Sequence, residues 1–177
     1  MAGDIKLKYG AATTAMTVTN LHSLASSQTY IGGWGSTSVT NTSNSYADYL
    51  IAGTFKTASA SRVSTGGINV YVIGSLNDTP TFGTVATGTP GTEGAITFTD
   101  QWRQQAQCRS LVSIAVGESG SATIYNFPQT GIASLFGGSV PNAWYLYVSQ
   151  NVTSGSTTGL DAATNALYYT PVLYQYT

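Results

Sequence analysis

Apolar and polar residues alternate with a period of two along most of this chain, and that period predicts strands. Asp4-Ile5-Lys6-Leu7-Lys8 alternates cleanly, with Ile5 and Leu7 expected inward and Lys6 and Lys8 outward. Residues 14–19 place Met16 and Val18 on one face, and residues 46–56 read as a longer strand ending in Thr54-Phe55-Lys56. Ile68-Asn69-Val70-Tyr71-Val72-Ile73 is a strong strand, and residues 95–99 are a short one. Residues 110–116 are apolar enough to suggest a central strand. Gly117-Glu118-Ser119-Gly120 then leads into residues 121–127, a link that predicts a hairpin. Residues 143–148 set Trp144, Leu146 and Val148 against Tyr145 and Tyr147, and a Tyr-rich strand over 167–176 closes the chain. β-branched and aromatic residues fill these runs, as suits a pleated, half-buried surface.

Glycine and proline punctuate the runs. Gly32-Gly33-Trp34-Gly35, Gly66-Gly67, Gly88-Thr89-Pro90-Gly91, Gly137-Gly138 and Ser154-Gly155-Ser156 read as turns. Residues 77–94 read as a long loop, equally a mobile surface loop or an interface arm. Helix is scarce. The best candidate spans 99–107 with Asp100 as its cap, and residues 131–136 allow one turn or an edge strand. The expected fold is all-β: an antiparallel β-sandwich, jelly-roll-like, of 8–10 strands with little helix. The 177 residues suit one domain, with 1–12 an N-terminal arm or edge strand.

Composition narrows the function. Only 7% of residues are charged and the net charge is -1, against about 25% charged in an ordinary soluble domain. Ser, Thr, Gly, Asn and Tyr must therefore cover much of the surface. Lys6, Lys8, Lys56, Arg62, Arg103 and Arg109 are scattered, which argues against nucleic acid, whose phosphates need a basic face. No apolar run reaches the roughly 20 residues of a helical membrane span. The start of the chain lacks the apolar stretch of a secretion signal, so synthesis in a cytoplasm is expected. Cys108 is the single cysteine, and the fold is expected to hold without a disulfide.

Candidate chemistry is thin. His22 is the one histidine, and a turn residue is the favoured reading over a general base. Asp4, Asp48, Asp78, Glu93, Asp100, Glu118 and Asp161 fall singly, mostly in predicted turns, where carboxylates cap and hydrogen-bond the backbone. They form neither the facing pair of a glycosidase nor a calcium cluster. Zinc would need His and Cys together. Cys108 precedes an apolar strand and reads as a small buried hydrophobe. The glycines around Trp34 lack the Gly-Lys-Ser/Thr ending of a phosphate loop. No catalytic residue, metal or cofactor is therefore expected. The aromatic residues point to contact instead. Tyr145, Tyr147, Tyr168, Tyr169, Tyr174 and Tyr176 concentrate in the last two strands, where core and interface roles are equally open. The candidate interface residues are Ile5, Lys6, Leu7, Lys8, Tyr30, Trp34, Tyr145, Tyr147, Tyr174 and Tyr176.

Three segments carry a resemblance: residues 4–11 (Asp-Ile-Lys-Leu-Lys-Tyr-Gly-Ala), residues 21–27 (Leu-His-Ser-Leu-Ala-Ser-Ser) and residues 41–44 (Asn-Thr-Ser-Asn). Together they look like a group of small virion structural proteins of tailed bacteriophages. The likeness covers the first third well, continues loosely to the strand bearing Trp144, and brings no catalytic motif. It implies a non-enzymatic β-sandwich that decorates or cements the capsid, or forms part of the head–tail region. Its partners would be the major capsid protein or head–tail proteins, and further copies of itself in a cyclic oligomer such as a trimer. It would be made in the bacterial cytoplasm and reside in the virion. A rival reading is a carbohydrate- or receptor-binding module of a phage tail, with Trp34, Tyr30 and Trp144 stacking on sugar.

Overall fold

A computed structural model describes residues 4–59, 63, 65–77, 79–83, 85–117, 121–154 and 157–177. Its strands, in chain order, are β1 (Ile5–Tyr9), β2 (Thr14–Ala15), β3 (Gly32–Gly35), β4 (Val39–Thr40), β5 (Asp48–Lys56), β6 (Gly67–Ser75), β7 (Ala86–Thr87), β8 (Gly94–Phe98), β9 (Arg109–Ala115), β10 (Ile124–Gly131), β11 (Ala143–Gln150) and β12 (Ala166–Tyr176). One short helix, α1 (Gln101–Gln107), lies between β8 and β9, and 3₁₀ turns span Thr19–Leu21 and Ala133–Phe136. Arg62, Asp78, Glu118 and the first three residues of the expected arm lie outside the described residues.

Two antiparallel sheets pack face to face. One runs β1-β12-β5-β10 and the other β7-β8-β3-β11-β6-β9, with β2 and β4 added beside β12 and β11. The pairs β1·β12, β3·β11, β5·β10 and β6·β9 are nested, each lying in sequence inside the one before. Rolling such a nested ribbon into two sheets gives the jelly roll, and the chain is an all-β sandwich of this kind.

The expected hairpin over residues 110–127 does not form. β9 pairs with β6 in one sheet and β10 with β5 in the other. Between Ala115 and Ile124 the chain therefore passes from one sheet to the other. β9 is also an edge strand and largely exposed, not the central strand its apolar run suggested.

β5 shows the sandwich logic most plainly, since its residues alternate between buried and half-buried along their whole length. Tyr49, Ile51 and Phe55 point inward and meet Trp34, Ile68, Val70, Val72, Trp144, Leu146 and Val148 of the facing sheet. Phe55 stacks on Phe127 from its neighbour β10 at 5.9 Å, and Tyr49 meets Trp144 edge-on at 5.1 Å. α1 begins where Asp100 caps it, its carboxylate accepting the Arg103 N–H at 2.9 Å, as the sequence predicts.

β11 is buried along all eight residues, so both of its faces are covered. The second cover comes from the connection between β6 and β9, which carries β7, β8 and α1. Phe82 packs edge-on against Tyr145 at 4.7 Å, and Phe98 against Tyr147 at 5.1 Å. With Ile73, Ile96 and Cys108 these rings form a second core on the outer side of the sheet. The expected loop over 77–94 is thus largely a roof over that sheet.

Candidate functional site

The other sheet carries no such roof over its β1–β12 edge, and a strip of large apolar side chains reaches solvent there, as Trp102 of α1 and Leu76 do elsewhere. Cross-strand partners share a face. Tyr9 stands opposite Val172, Leu7 opposite Tyr174 and Ile5 opposite Tyr176, while Val172 stands opposite Asp48 of β5. Asp48 is next to inward-facing Tyr49, so this whole row points away from the core. Ile5, Leu7, Tyr9, Tyr174 and Tyr176 are 72%, 65%, 66%, 66% and 71% exposed. The expectation of Ile5 and Leu7 turned inward is therefore reversed. β1 lies beyond the overlap of the two sheets, where alternation persists but no core meets it.

A shallow trough of about 300 Å³ runs through the strip, lined by Leu7, Tyr9, Leu50, Val172 and Tyr174, with Asp48 at one side. Asp48 is already engaged: its Oδ1 accepts the N–H groups of Ile132 at 2.9 Å and Ala133 at 2.8 Å, holding the 3₁₀ turn beside the strip. Three tyrosines exposed by two-thirds present on the order of 400 Å², given roughly 150–250 Å² for a whole aromatic side chain. Ile5 and Leu7 carry the strip to the top of the roughly 300–600 Å² typical of the largest patch on a soluble monomer. Lys6 and Lys8, exposed on the opposite face of β1, flank it at the sheet edge.

The structure divides the ten candidate interface residues. Ile5, Lys6, Leu7, Lys8, Tyr174 and Tyr176 come together on β1 and β12. Trp34, Tyr145 and Tyr147 are excluded, since all three are buried inside the chain. Gly32–Gly35 is a strand of the second sheet and not a tight turn displaying Trp34. Gly33 and Gly35 face the roof and Trp34 faces the core. A Cβ on Gly33 would stand 2.3 Å from the Val148 carbonyl oxygen and 2.8 Å from the Tyr147 ring, so only glycine lets that ring lie against the strand. Tyr147 reaches past it to donate to the Tyr30 carbonyl at 2.9 Å. Tyr30, at φ 60°, is a half-buried bracket: its hydroxyl donates to Asn151 Oδ1 and its carbonyl also accepts from Gln104 Nε2 at 2.9 Å. Tyr9 belongs to the strip and was missed, though its place two residues beyond Leu7 was a readable signal.

The reactive side chains serve the fold. Burial pushes the Cys108 thiol up to about 12, far from a thiolate at neutral pH. His22 Nδ1 lies 3.3 Å from Asn165 Nδ2. Glu93 accepts from the indole N–H of buried Trp34 at 2.7 Å, and from the backbone and side-chain N–H groups of Asn20 at 2.7 and 2.5 Å. Partial burial acts to raise the Glu93 carboxyl, but those hydrogen bonds outweigh it and hold the group below its ordinary value. Asp161 pairs with Lys56 at 3.3 Å on the surface. Among the described residues no three of His, Cys, Asp and Glu gather as a metal site would need.

The rival reading loses its stacking residues, because Trp34 and Trp144 are fully buried and Tyr30 is committed to its bracket. A polar hollow of about 420 Å³ does exist between Asn41, Thr42, Ser45, Asn142 and Tyr174. Its Asn41 amide is already spent on Tyr46 and Tyr49. No family model matches the chain, and no curated protein matches it either. What fold and surface define is a jelly-roll sandwich with one outer face roofed by its own chain and the other carrying an exposed apolar strip at its β1–β12 edge.

Proposed function

We propose that this chain is a non-enzymatic structural subunit of a bacteriophage virion, made in the host cytoplasm. In this reading it decorates or cements the capsid, or forms part of the head–tail assembly, through protein–protein contacts. The observation that carries the reading is the exposed strip of Ile5, Leu7, Tyr9, Tyr174 and Tyr176 on a sheet face that holds few charges. Burying such a face costs little, because it holds few charges to strip of water. A standard interface buries roughly 800 Å² on each partner, and the strip supplies most of that. The jelly roll fits the role, since capsid domains recur on it, but so do lectins and cupins, and a fold by itself assigns no function.

The test pairs particles lacking this chain with purified protein. Leu7→Ser together with Tyr174→Ser removes apolar surface without touching the core. Wild type is expected to bind the particles saturably and the double variant to lose that binding with an unchanged unfolding midpoint. Equal binding by both proteins, or absence of wild type from intact particles, would overturn the proposal.

A further inference from the structure

The open sheet ends in a strand whose free edge is ready to pair. Asp4 exchanges main-chain bonds with Thr177 at 3.2 and 3.0 Å, and the Gly10 N–H donates to the Pro171 carbonyl at 2.7 Å. In an antiparallel ladder the residues facing the neighbour alternate. Asp4, Lys6, Lys8 and Gly10 therefore turn their backbone groups toward β12, and Ile5, Leu7 and Tyr9 turn theirs outward. β1 is the last strand of its sheet among the described residues. Of the usual devices that blunt an edge it lacks a proline and a register shift but carries two lysines, Lys6 and Lys8, so a strand that pairs here must answer their charge.

We infer that the occupant of this edge is a second copy of the same chain, its β1 running antiparallel about a twofold axis through Lys6. This deepens the proposed structural role and rests on it. Charge and overlap together select the register. With the axis at Lys6, Asp4 stands opposite Lys8 of the second copy, twice over by symmetry, and Ile5 stands opposite Leu7. One Lys6–Lys6 contact is the cost. The register with the axis at Leu7 sets Lys6 against Lys8 twice and gives Asp4 no lysine partner, and the register with the axis at Ile5 opposes Asp4 to Lys6 but overlaps only residues 4–6 of the described strand, against residues 4–8 here. Like charges directly opposite one another destabilise a strand pair, and opposite charges stabilise it. In the Lys6 register Ile5 and Leu7 of both copies exchange backbone bonds, so the outward-facing groups of both residues are paired. The two four-stranded paths become one continuous sheet, and the two apolar strips join into a single face of twice the area. The self-complementary patch is what a twofold contact requires.

Position 6 becomes a non-hydrogen-bonded pair, with Cα atoms about 4.5 Å apart, inside the roughly 4.4–6.8 Å that a disulfide spans. Lys6→Cys is expected to yield a covalent dimer under mild oxidation, and Leu7→Cys is not. The native Cys108 is buried and does not compete. Sedimentation of the otherwise wild-type chain gives a second readout. Asp4→Lys is expected to weaken association about tenfold or more, since each of two opposed pairs changes from attraction to repulsion at roughly 0.2–1 kcal/mol apiece. Adding Lys8→Asp is expected to restore it. A cross-link through Leu7→Cys in place of Lys6→Cys, a monomer at every concentration, or association indifferent to the charge swap each overturns the inference. If the wild-type chain is monomeric and still binds particles, the dimer falls and the structural role stands. If the dimer forms and particles ignore it, the reverse holds.

Discussion

Replacing Glu93 with alanine tests whether the roof is fastened to the sandwich by a single carboxylate. Glu93 lies just before β8 and takes the indole N–H of Trp34 from the core and two N–H groups of Asn20 from the 3₁₀ turn. The Asn20 bonds are exposed, so water replaces them at little cost. Trp34 is fully buried, and a buried donor stripped of a charged acceptor costs about 1.5–3 kcal/mol. For a domain of this size that is about 3–12 °C of melting temperature, at roughly 2–4 °C per kcal/mol. Glu93→Gln keeps one acceptor oxygen and is expected to lose about half as much by the same reasoning. The pH dependence has a definite sign. The folded carboxyl titrates below its unfolded value, so its stabilising effect is complete above about pH 4.3. It fades as the pH falls through the lower folded value. Urea unfolding of wild type and Glu93→Ala between pH 7 and pH 3 reads both effects. The wild-type midpoint is expected to fall on acidification more steeply than that of the variant. A variant within about 0.5 kcal/mol of wild type, with a parallel pH profile, would refute the reasoning.

Three further measurements probe the same architecture. Ile96→Ala empties part of the second core, where Ile96 is fully buried, and is expected to cost about 2–5 kcal/mol in urea unfolding. Ile5→Ala on the open face should stay within about 0.5 kcal/mol, and equal losses at both sites would mean that the roof is not a packed layer. Gly33→Ala drives a methyl into the Val148 carbonyl and the Tyr147 ring, and is expected to lose at least the roughly 1–3 kcal/mol of an overpacked core; a neutral effect on thermal unfolding would show that Tyr147 does not lie against β3. Cys108, pushed up to about 12 and buried, should resist a thiol reagent at pH 8 until urea unfolds the chain. Labelling of the native protein at the rate of a free thiol would contradict its place in the second core.

Much of the fold can be read from alternation alone. β5, β6, β11 and β12 fall where period-two runs predict them, and Asp100 caps α1 as its position before a polar turn implies. Alternation does not say which face is inside. Ile5 and Leu7 alternate with lysines as a half-buried strand would, yet β1 overhangs the core, so both side chains are exposed. Nor do turn residues say whether the chain doubles back or crosses to the other sheet, which is why β9 and β10 look like a hairpin and are not. Gly32–Gly35 reads as a turn because glycine is a poor strand former. The overlooked signal is Gly33 and Gly35 on one face with Trp34 on the other, a pattern that leaves room for rings to lie flat. The burial of Tyr145 and Tyr147 was not legible locally at all, since the segment covering them reads as a loop.

The roof over β11 sets a limit on thickness. A sandwich open on both outer faces can be stacked from either side, layer upon layer. Here one side is closed by Phe82, Phe98 and α1, and the apolar strip lies wholly on the other. Any array seated through that strip is one subunit deep, and it turns the roofed side outward with Trp102 of α1 exposed on it.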